Sequence, residues 1–412
     1  MLSTSLRKGF SRQLIVPIRH FCCGKHSDVV IVSALRTPIG SFRGTLSQFS
    51  APQLATHTIK AIIADTKLQP DQVDEVILGN VCQAAVGQAP TRQAVLNAGL
   101  PLSVVTSTIN KVCASGMKAI MIAAQSLALG HTNIMIAGGM ESMSNVPFYL
   151  KRGQANYGHT QLIDGIVHDG LWDSFNQIHM GNCGENTAKV HGISRQQQDE
   201  YAKKSYLCSM EAAKKGLLAK EIISIDVVDR KQTKTMKDDE EPSRFDAAKM
   251  ATLKTVFQKD GTVTAANASK LNDGAATCML MRMETATELG LKPLAKIVDF
   301  ADNAVAPIDF PIAPVDAMRK ILTRQNLKNE DISMWEINEA FSVVPLANIK
   351  ILNLNADHVN MNGGAVSLGH PIGMSGARIV NTLVHQLSSG QFGMASICNG
   401  GGGASALLVQ KM

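Results

Sequence analysis

Aromatic residues make up only 4% of this 412-residue chain, so its cores must be filled by small and flexible apolar side chains instead. No apolar run reaches the roughly 18 residues that span a bilayer, which argues against a membrane-crossing helix and for a soluble protein. The eight cysteines include no C-x-x-C pair, so neither a zinc site nor a redox dithiol is written in their spacing. Acidic residues are missing from residues 1–27, although Arg7, Lys8, Arg12, Arg19 and Lys25 all fall there. Those five bases carry most of the formal charge of +6, and the rest of the chain is close to neutral. A nucleic-acid partner is therefore not expected.

The acid-free leader also bears serines and the apolar residues Leu6, Phe10, Leu14, Ile15 and Ile18, the pattern of a mitochondrial transit peptide. Cleavage is expected near Phe21 to Ser27, just before the first clear strand at Asp28. The mitochondrial matrix is then the expected location, and its reducing conditions disfavour structural disulfides. Cys82, Cys183, Cys208 and Cys278 read as packing residues.

What remains is 45% hydrophobic and long enough for two or three domains with sizeable cores. Strand-like and helix-like runs alternate, as in α/β folds. A weak echo links Pro52–Asp65 and the strand ending at Asn80 with Pro314–Gln325 and the strand ending at Asn338. Between these halves, residues 148–261 change character. A capped helix opens at Ser194-x-x-Gln197, and a charged stretch from Asp229 to Arg244 reads as a solvated face.

Chemistry concentrates in four short segments. Cys113, in NKVCASGMKA, precedes an alanine-rich helix whose N-terminus would favour a thiolate. Cys398 ends a strand-like run and is followed by Asn399 and Gly400 to Gly403. Those glycines suit either amide donors for an oxyanion or a tight turn between buried strands. His370 lies in GGAVSLGHPIG, with Pro371 fitting the first turn of a helix to about Leu387. Asn338, in NEAF at a strand end, could orient a water or cap a helix.

These four segments, in this order, resemble the thiolase family over residues 28–412. HMGNCGENTA from His179 and FPIAP from Phe310 resemble its short-chain, biosynthetic-type branch. The resemblance implies two similar five-stranded α/β halves in a five-layered α-β-α-β-α core. Residues 28–147 and 262–285 would form the first half, 286–412 the second, and 148–261 a loop domain covering coenzyme A. It implies reversible condensation of two acetyl-CoA to acetoacetyl-CoA and coenzyme A, and cleavage of 2-methylacetoacetyl-CoA, which Phe310 and Pro311 accompany in mitochondrial members. A homotetramer and no covalent cofactor are implied as well.

By the same resemblance Cys113 is the nucleophile, His370 its base and Cys398 the base at the α-carbon. His370 with a water on Asn338 would stabilise one oxyanion, and the amides of Cys113 and Gly400 the other. Tyr206, Arg244, Asp246, Lys249 and Ser269 would contact coenzyme A, with His179 and Met180 lining the pantetheine tunnel. The Tyr206 hydroxyl and the carbonyls of Ala265, Ala266, Ala268 and Val366 could hold potassium, with Lys270 as a competing ammonium where relatives carry a small residue. Two rival functions share the fold. A decarboxylating condensing enzyme would place a second histidine where Cys398 stands, and a non-catalytic acyl-CoA or lipid-binding module would not need the four segments intact.

The leader can be tested by itself. A reporter fused behind residues 1–27 is expected to enter mitochondria and be shortened; a full-length fusion left in the cytosol contradicts the reading.

Overall fold

The computed structural model describes residues 27–153, 157–229 and 232–412, so the leader lies outside the described residues except for Ser27. Its first strand, Val29–Arg36, starts one residue after the Asp28 that the sequence predicts. That strand pairs antiparallel with Asn272–Arg282, which pairs antiparallel with Ile134–Ser142. Glu75–Gly79 lies parallel between Ile134–Ser142 and the edge strand Val105–Ile109. The second half repeats this order. Ala295–Ala304 pairs antiparallel with Gly403–Lys411, which pairs antiparallel with Phe392–Asn399, and that strand runs parallel to Ile332–Ile337. Its fifth strand is reduced to one parallel bridge between Trp335 and Val359. The two sheets meet edge to edge at Val30 with Lys296 and Ile31 with Ala295.

Helices Ser115–Ala128 and Ser375–Gln386 pack on each other between the sheets. Ala51–Thr66 and Pro90–Asn97 cover the outer face of the first sheet, and Ala313–Gln325 lies on the outer face of the second. Five layers result. Strand side chains alternate between faces, and here both faces are buried. Along Asn272–Arg282, Ala276, Cys278 and Leu280 enter the central core, whereas Ala275, Met279 and Met281 enter the outer one. Ala395 and Ile397 likewise face the central helices, and Met394 and Cys398 face outward. Met, Ala, Val and Ile supply most of this packing, as the shortage of aromatics requires.

The echo between the halves corresponds to repeated local structure. Each copy runs from a helix, Ala51–Thr66 or Ala313–Gln325, through one short 3-10 turn into a strand, and each strand ends one residue before an asparagine, Asn80 or Asn338. Two expectations need correction. The helix after His370 starts at Ser375, not Pro371, because Pro371 sits in a preceding turn whose carbonyl accepts from Met374 and Ser375. The charged stretch is solvated along residues 232–238 and again at Ser243 and Arg244, but among the described residues Asp239, Glu240 and Glu241 are not exposed. Asp239 accepts two bonds from the Arg36 guanidinium, at 2.7 and 3.0 Å, and Glu240 accepts the amides of Ser41 and Thr45. Glu241 is buried against Asn272. A run of acids anchors the insert because it meets a buried arginine, which charge patterning along the chain does not reveal.

Arg36 also bonds Glu221 at 2.6 Å, with both side chains fully buried. Replacing one partner of such a network strands the remaining charges and typically costs about 3–5 kcal/mol. Urea unfolding of Arg36→Met is expected to show a loss of that order, whereas Arg319→Met, which breaks an exposed pair with Asp316, should change stability by less than ~1 kcal/mol. Equal midpoints for the two variants contradict the anchoring role.

Candidate active site

The chain reaches Cys113 through a constrained turn. Val112 sits at φ +48°, a left-handed conformation costly for a β-branched residue. Ser115 holds it there: its hydroxyl accepts from the Lys111 amide at 2.8 Å and donates to the Val112 carbonyl at 2.6 Å. Cys113 then lies just before helix Ser115–Ala128. Lys111 crosses to the other half, where its ammonium donates to the Ala404 carbonyl at 2.9 Å and to Asp302 at 2.6 Å. Ala404 pairs with Cys398 across the Phe392–Asn399 hairpin. One lysine thus ties the turn carrying the first cysteine to the strand pair carrying the second.

Of the two readings of the glycines after Cys398, the turn is seen directly. They form the tight turn of a buried hairpin, with Gly401 and Gly402 at φ +82° and +85°. They also bring the Gly400 amide to the Cys113 thiol, which the Cys113 amide faces too. The Asn338 amide donates to the Ser396 carbonyl at 2.9 Å, placing this residue beside the Cys398 strand. Its side-chain oxygen and nitrogen are both buried and without a partner among the described residues. Asn338 is no helix cap, since the next helix begins at Val343 after Ser342.

His370 is oriented by groups that sequence reasoning missed. Its amide donates to Asn272 Oδ1 at 2.9 Å, and its Nδ1 lies 2.6 Å from Ser375 Oγ. The Ser375 hydroxyl donates to the Pro371 carbonyl at 2.9 Å, so toward Nδ1 it acts as acceptor. Nδ1 therefore carries the proton, and Nε2, buried and unpartnered, presents a lone pair. Glu141 holds the loop from below by accepting the amides of Gly373, Val81 and Cys82 at 3.0 to 3.2 Å. Asn272, Ser375 and Glu141 are separated from His370 in sequence or are of unremarkable type, so no local motif marks them.

Burial corrects the expectation of a thiolate. It pushes the Cys113 thiol up to about 12 despite the opposing Gly400 and Cys113 amides, and Glu141 adds to the rise. Burial, then the nearby Arg378 charge, pulls His370 down to about 3. Cys398 is raised well above the ordinary thiol range by burial and by Cys113. These shifts favour two thiols and a neutral imidazole.

A cavity of about 820 Å³ opens above His370. His179, Tyr206, Arg244, Asp246, Lys249 and Ser269 line it together, although they come from distant parts of the chain. Met180 lies outside the lining, buried behind His179, its sulfur 3.5 Å from where a side chain on Gly400 would begin. Cys113, Cys398, Asn338 and Gly400 also lie beyond the lining, so the cavity reaches the reacting groups at His370. Two aromatic stacks flank it, His179 on Phe257 and Tyr206 on Phe245, with ring centroids 4.6 and 4.7 Å apart. Phe245 and Phe257 were not singled out in the sequence because isolated phenylalanines carry no motif. Asp246 caps the turn Ala247–Met250 by accepting from Ala248 and Lys249.

The donors proposed for potassium do not fit it in this chain. Lys270 Nζ donates to the Ala268 carbonyl at 2.7 Å and reaches toward that of Val366 at 3.4 Å. It stands 5.7 Å from the Tyr206 ring centroid. Ala265 and Ala266 line the same cavity. A second unit charge about 4 Å from this ammonium would be repelled by roughly 4 kcal/mol at an effective dielectric near 20.

Family sequence models for the thiolase N-terminal and C-terminal domains match residues 29–284 and 291–411. The chain belongs to the thiolase family. This thiolase is 60% identical to mitochondrial acetyl-CoA acetyltransferase A of Xenopus laevis, over 94% of its own length and 92% of that protein's. It is 58% identical to the mitochondrial acetyl-CoA acetyltransferase of Homo sapiens, covering 93% and 91% of the two chains. Among solved structures, a thiolase of Ascaris suum in complex with coenzyme A superposes with a TM-score of 0.91 at 47% identity, over 93% of this chain and all of that one. The acetyl-CoA acetyltransferase of Bacillus anthracis gives 0.91 at 40% identity, over 94% and 99%.

The neutral resting state of this thiolase has a measurable consequence. With the Cys113 thiol raised, its thiolate fraction, and so its iodoacetamide alkylation rate, should climb about tenfold per pH unit between about pH 6 and 9 without levelling. Peptide mapping at Cys113 provides the measurement. A plateau near pH 7 would reveal a preformed thiolate and contradict the account.

Proposed function

We propose that this thiolase is an acetyl-CoA C-acetyltransferase, interconverting two acetyl-CoA with acetoacetyl-CoA and coenzyme A. The observation that carries this reading is a set of polar groups beside two thiols: His370 Nε2 and both side-chain ends of Asn338, buried without partners among the described residues, and the amides of Cys113 and Gly400, which face the Cys113 thiol. Buried polar atoms without partners are costly, and donors fixed where an oxyanion develops repay that cost in the transition state.

In the condensing direction, His370 Nε2 takes the Cys113 proton as the sulfur attacks the acetyl-CoA carbonyl. The oxyanion is held by the Cys113 and Gly400 amides. The bond to the coenzyme A sulfur then breaks, that sulfur takes the proton from His370, and Cys113 is left acetylated. For the second half, the Cys398 proton lodges on His370, and the Cys398 thiolate removes an α-proton from a second acetyl-CoA. A raised thiol makes a strong conjugate base, as a weakly acidic C–H requires. The enolate oxygen accepts from protonated His370 and from a water on Asn338. Its carbon attacks the acetyl group, the Cys113 sulfur leaves, and the His370 proton returns to it. Both thiols are restored, and atoms balance.

The finer assignments follow the cavity. Coenzyme A fits along it, with Arg244 and Lys249 suited to phosphate, aromatic faces at Phe245 and Phe257, and pantetheine passing His179 toward His370. Residues 148–261 then act as the loop domain over the coenzyme, between halves at 28–147 with 262–285 and at 286–412. Phe310 packs in the same core as Met180 and Cys398, so it acts on 2-methylacetoacetyl-CoA through that packing and not by lining the cavity. The open edge at Val105–Ile109, with Val105 59% exposed, suits pairing with a second copy on the way to a homotetramer. The mitochondrial names of the relatives and the basic leader support a place in the matrix.

Cleavage of acetoacetyl-CoA that depends on free coenzyme A is expected from the purified chain, with 2-methylacetoacetyl-CoA cleaved in the same assay. Absence of coenzyme-dependent cleavage in folded protein overturns the assignment, and loss of the methylated substrate alone removes only the branched activity.

A further inference from the structure

Lys270 stands at the junction of three parts that the reaction needs in register. Its own segment, from Ala265 to Leu271, forms one wall of the cavity. Tyr206, on helix Arg195–Lys214 of the insert, lies under its ammonium. The Val366 carbonyl, toward which it reaches, belongs to the turn Ala365–Leu368 that leads through Gly369 directly into His370. The opposite end of that turn is held by an anion: the Val366 amide donates to Glu339 Oε2 at 3.0 Å. Glu339 also accepts from Tyr201 at 2.9 Å and Ser205 at 2.8 Å on the same helix of the insert. The turn is therefore gripped by a carboxylate at its amide end and an ammonium at its carbonyl end, the arrangement that favours a helical turn's dipole. Burial pulls the Lys270 ammonium down to about 8, and Glu241 and Glu339 oppose this with negative potential around it, so it remains charged at neutral pH. Carbonyl oxygens, an aromatic face and surrounding carboxylates are also what a free monovalent cation would use.

We propose that the Lys270 ammonium is a tethered cation that fills this carbonyl cluster from within the chain, docking the insert to the Val366–His370 segment and making the protein indifferent to potassium. Lys270 is a positioning residue: it acts on His370 through the turn and on the cavity wall through Tyr206. An ion from solution would have to compete with this side chain, which already donates to the Ala268 carbonyl at 2.7 Å and reaches toward that of Val366 at 3.4 Å.

The test uses the full chain and the variants Lys270→Ala and Lys270→Met in chloride salts of potassium, sodium and ammonium at equal ionic strength. Thermal unfolding is the first readout. Wild-type midpoints are expected to coincide in the three salts. Lys270→Ala, which removes the charge and opens the space, should unfold a few degrees lower in sodium and recover in potassium or ammonium. Lys270→Met, which removes the charge but fills the space, should be lowered in all three without recovery. The second readout, coenzyme A affinity by calorimetry, rests on the reading of the cavity given above. It should fall several-fold for Lys270→Ala in sodium and return in potassium. The unfolding readout stands without that reading, so the two can fail separately. A wild-type midpoint that potassium raises as much as it raises Lys270→Ala overturns the proposal. So does a folded Lys270→Ala indifferent to all three salts, or a Lys270→Met as stable as wild type.

Discussion

The carbonyl of Gly373 occupies the place where a side chain on residue 139 would begin, and it lies 3.0 Å from the corresponding place on Gly116. This contact sets the distance between the halves at the level of the chemistry. Gly139 belongs to strand Ile134–Ser142, Gly116 to the helix behind Cys113, and Gly373 to the loop carrying His370. No residue with a Cβ could stand at position 139 without driving that loop away. Everything catalytic is built outward from the contact. Glu141 fixes the Gly373 amide from one side, Ser375 fixes the imidazole from the other, and Lys111 carries the turn at Cys113 across to the Cys398 hairpin.

Close packing has an electrostatic result. His370 and Cys398 are buried and Cys113 half-buried by the same layers that position them, and the low-polarity surroundings favour the uncharged form of each. An exposed cysteine–histidine pair would gain reactivity as a standing thiolate and also be open to oxidation and alkylation. Here buried donors and acceptors without protein partners among the described residues, His370 Nε2 and the Asn338 carboxamide, lie beside the thiols. The arrangement sacrifices some folding stability for interactions realised during the reaction.

Much of this was legible in the chain. Helix and strand periodicity located the repeated helix–turn–strand unit, and the segments around Cys113, His370 and Cys398 stood out as candidates because glycines lie near the reactive side chains. The cavity residues Tyr206, Arg244, Lys249 and Ser269 came from resemblance, and the structure brings them to one space. What stayed hidden is long-range. Asp239 and Glu240 looked like solvent-facing acids until Arg36, Ser41 and Thr45 were seen opposite them. Asn272, Glu339 and Ser375 act through main-chain contacts that no spacing announces. The direction of the Cys113 shift was misjudged for a related reason. A helix N-terminus is visible in sequence, whereas the depth at which the thiol is buried is set by residues hundreds of positions away.

The central claim is a division of labour: Cys113 carries the acyl group and Cys398 moves the proton at carbon. Intact-mass analysis of Cys398→Ala incubated with acetyl-CoA, run beside deuterium exchange into the acetyl methyl group, separates these roles in one sample. The account predicts a stable acetyl adduct on Cys113 with no exchange above the solvent background. Exchange at the wild-type rate, or an adduct found on Cys398 in the unmodified protein, would contradict it.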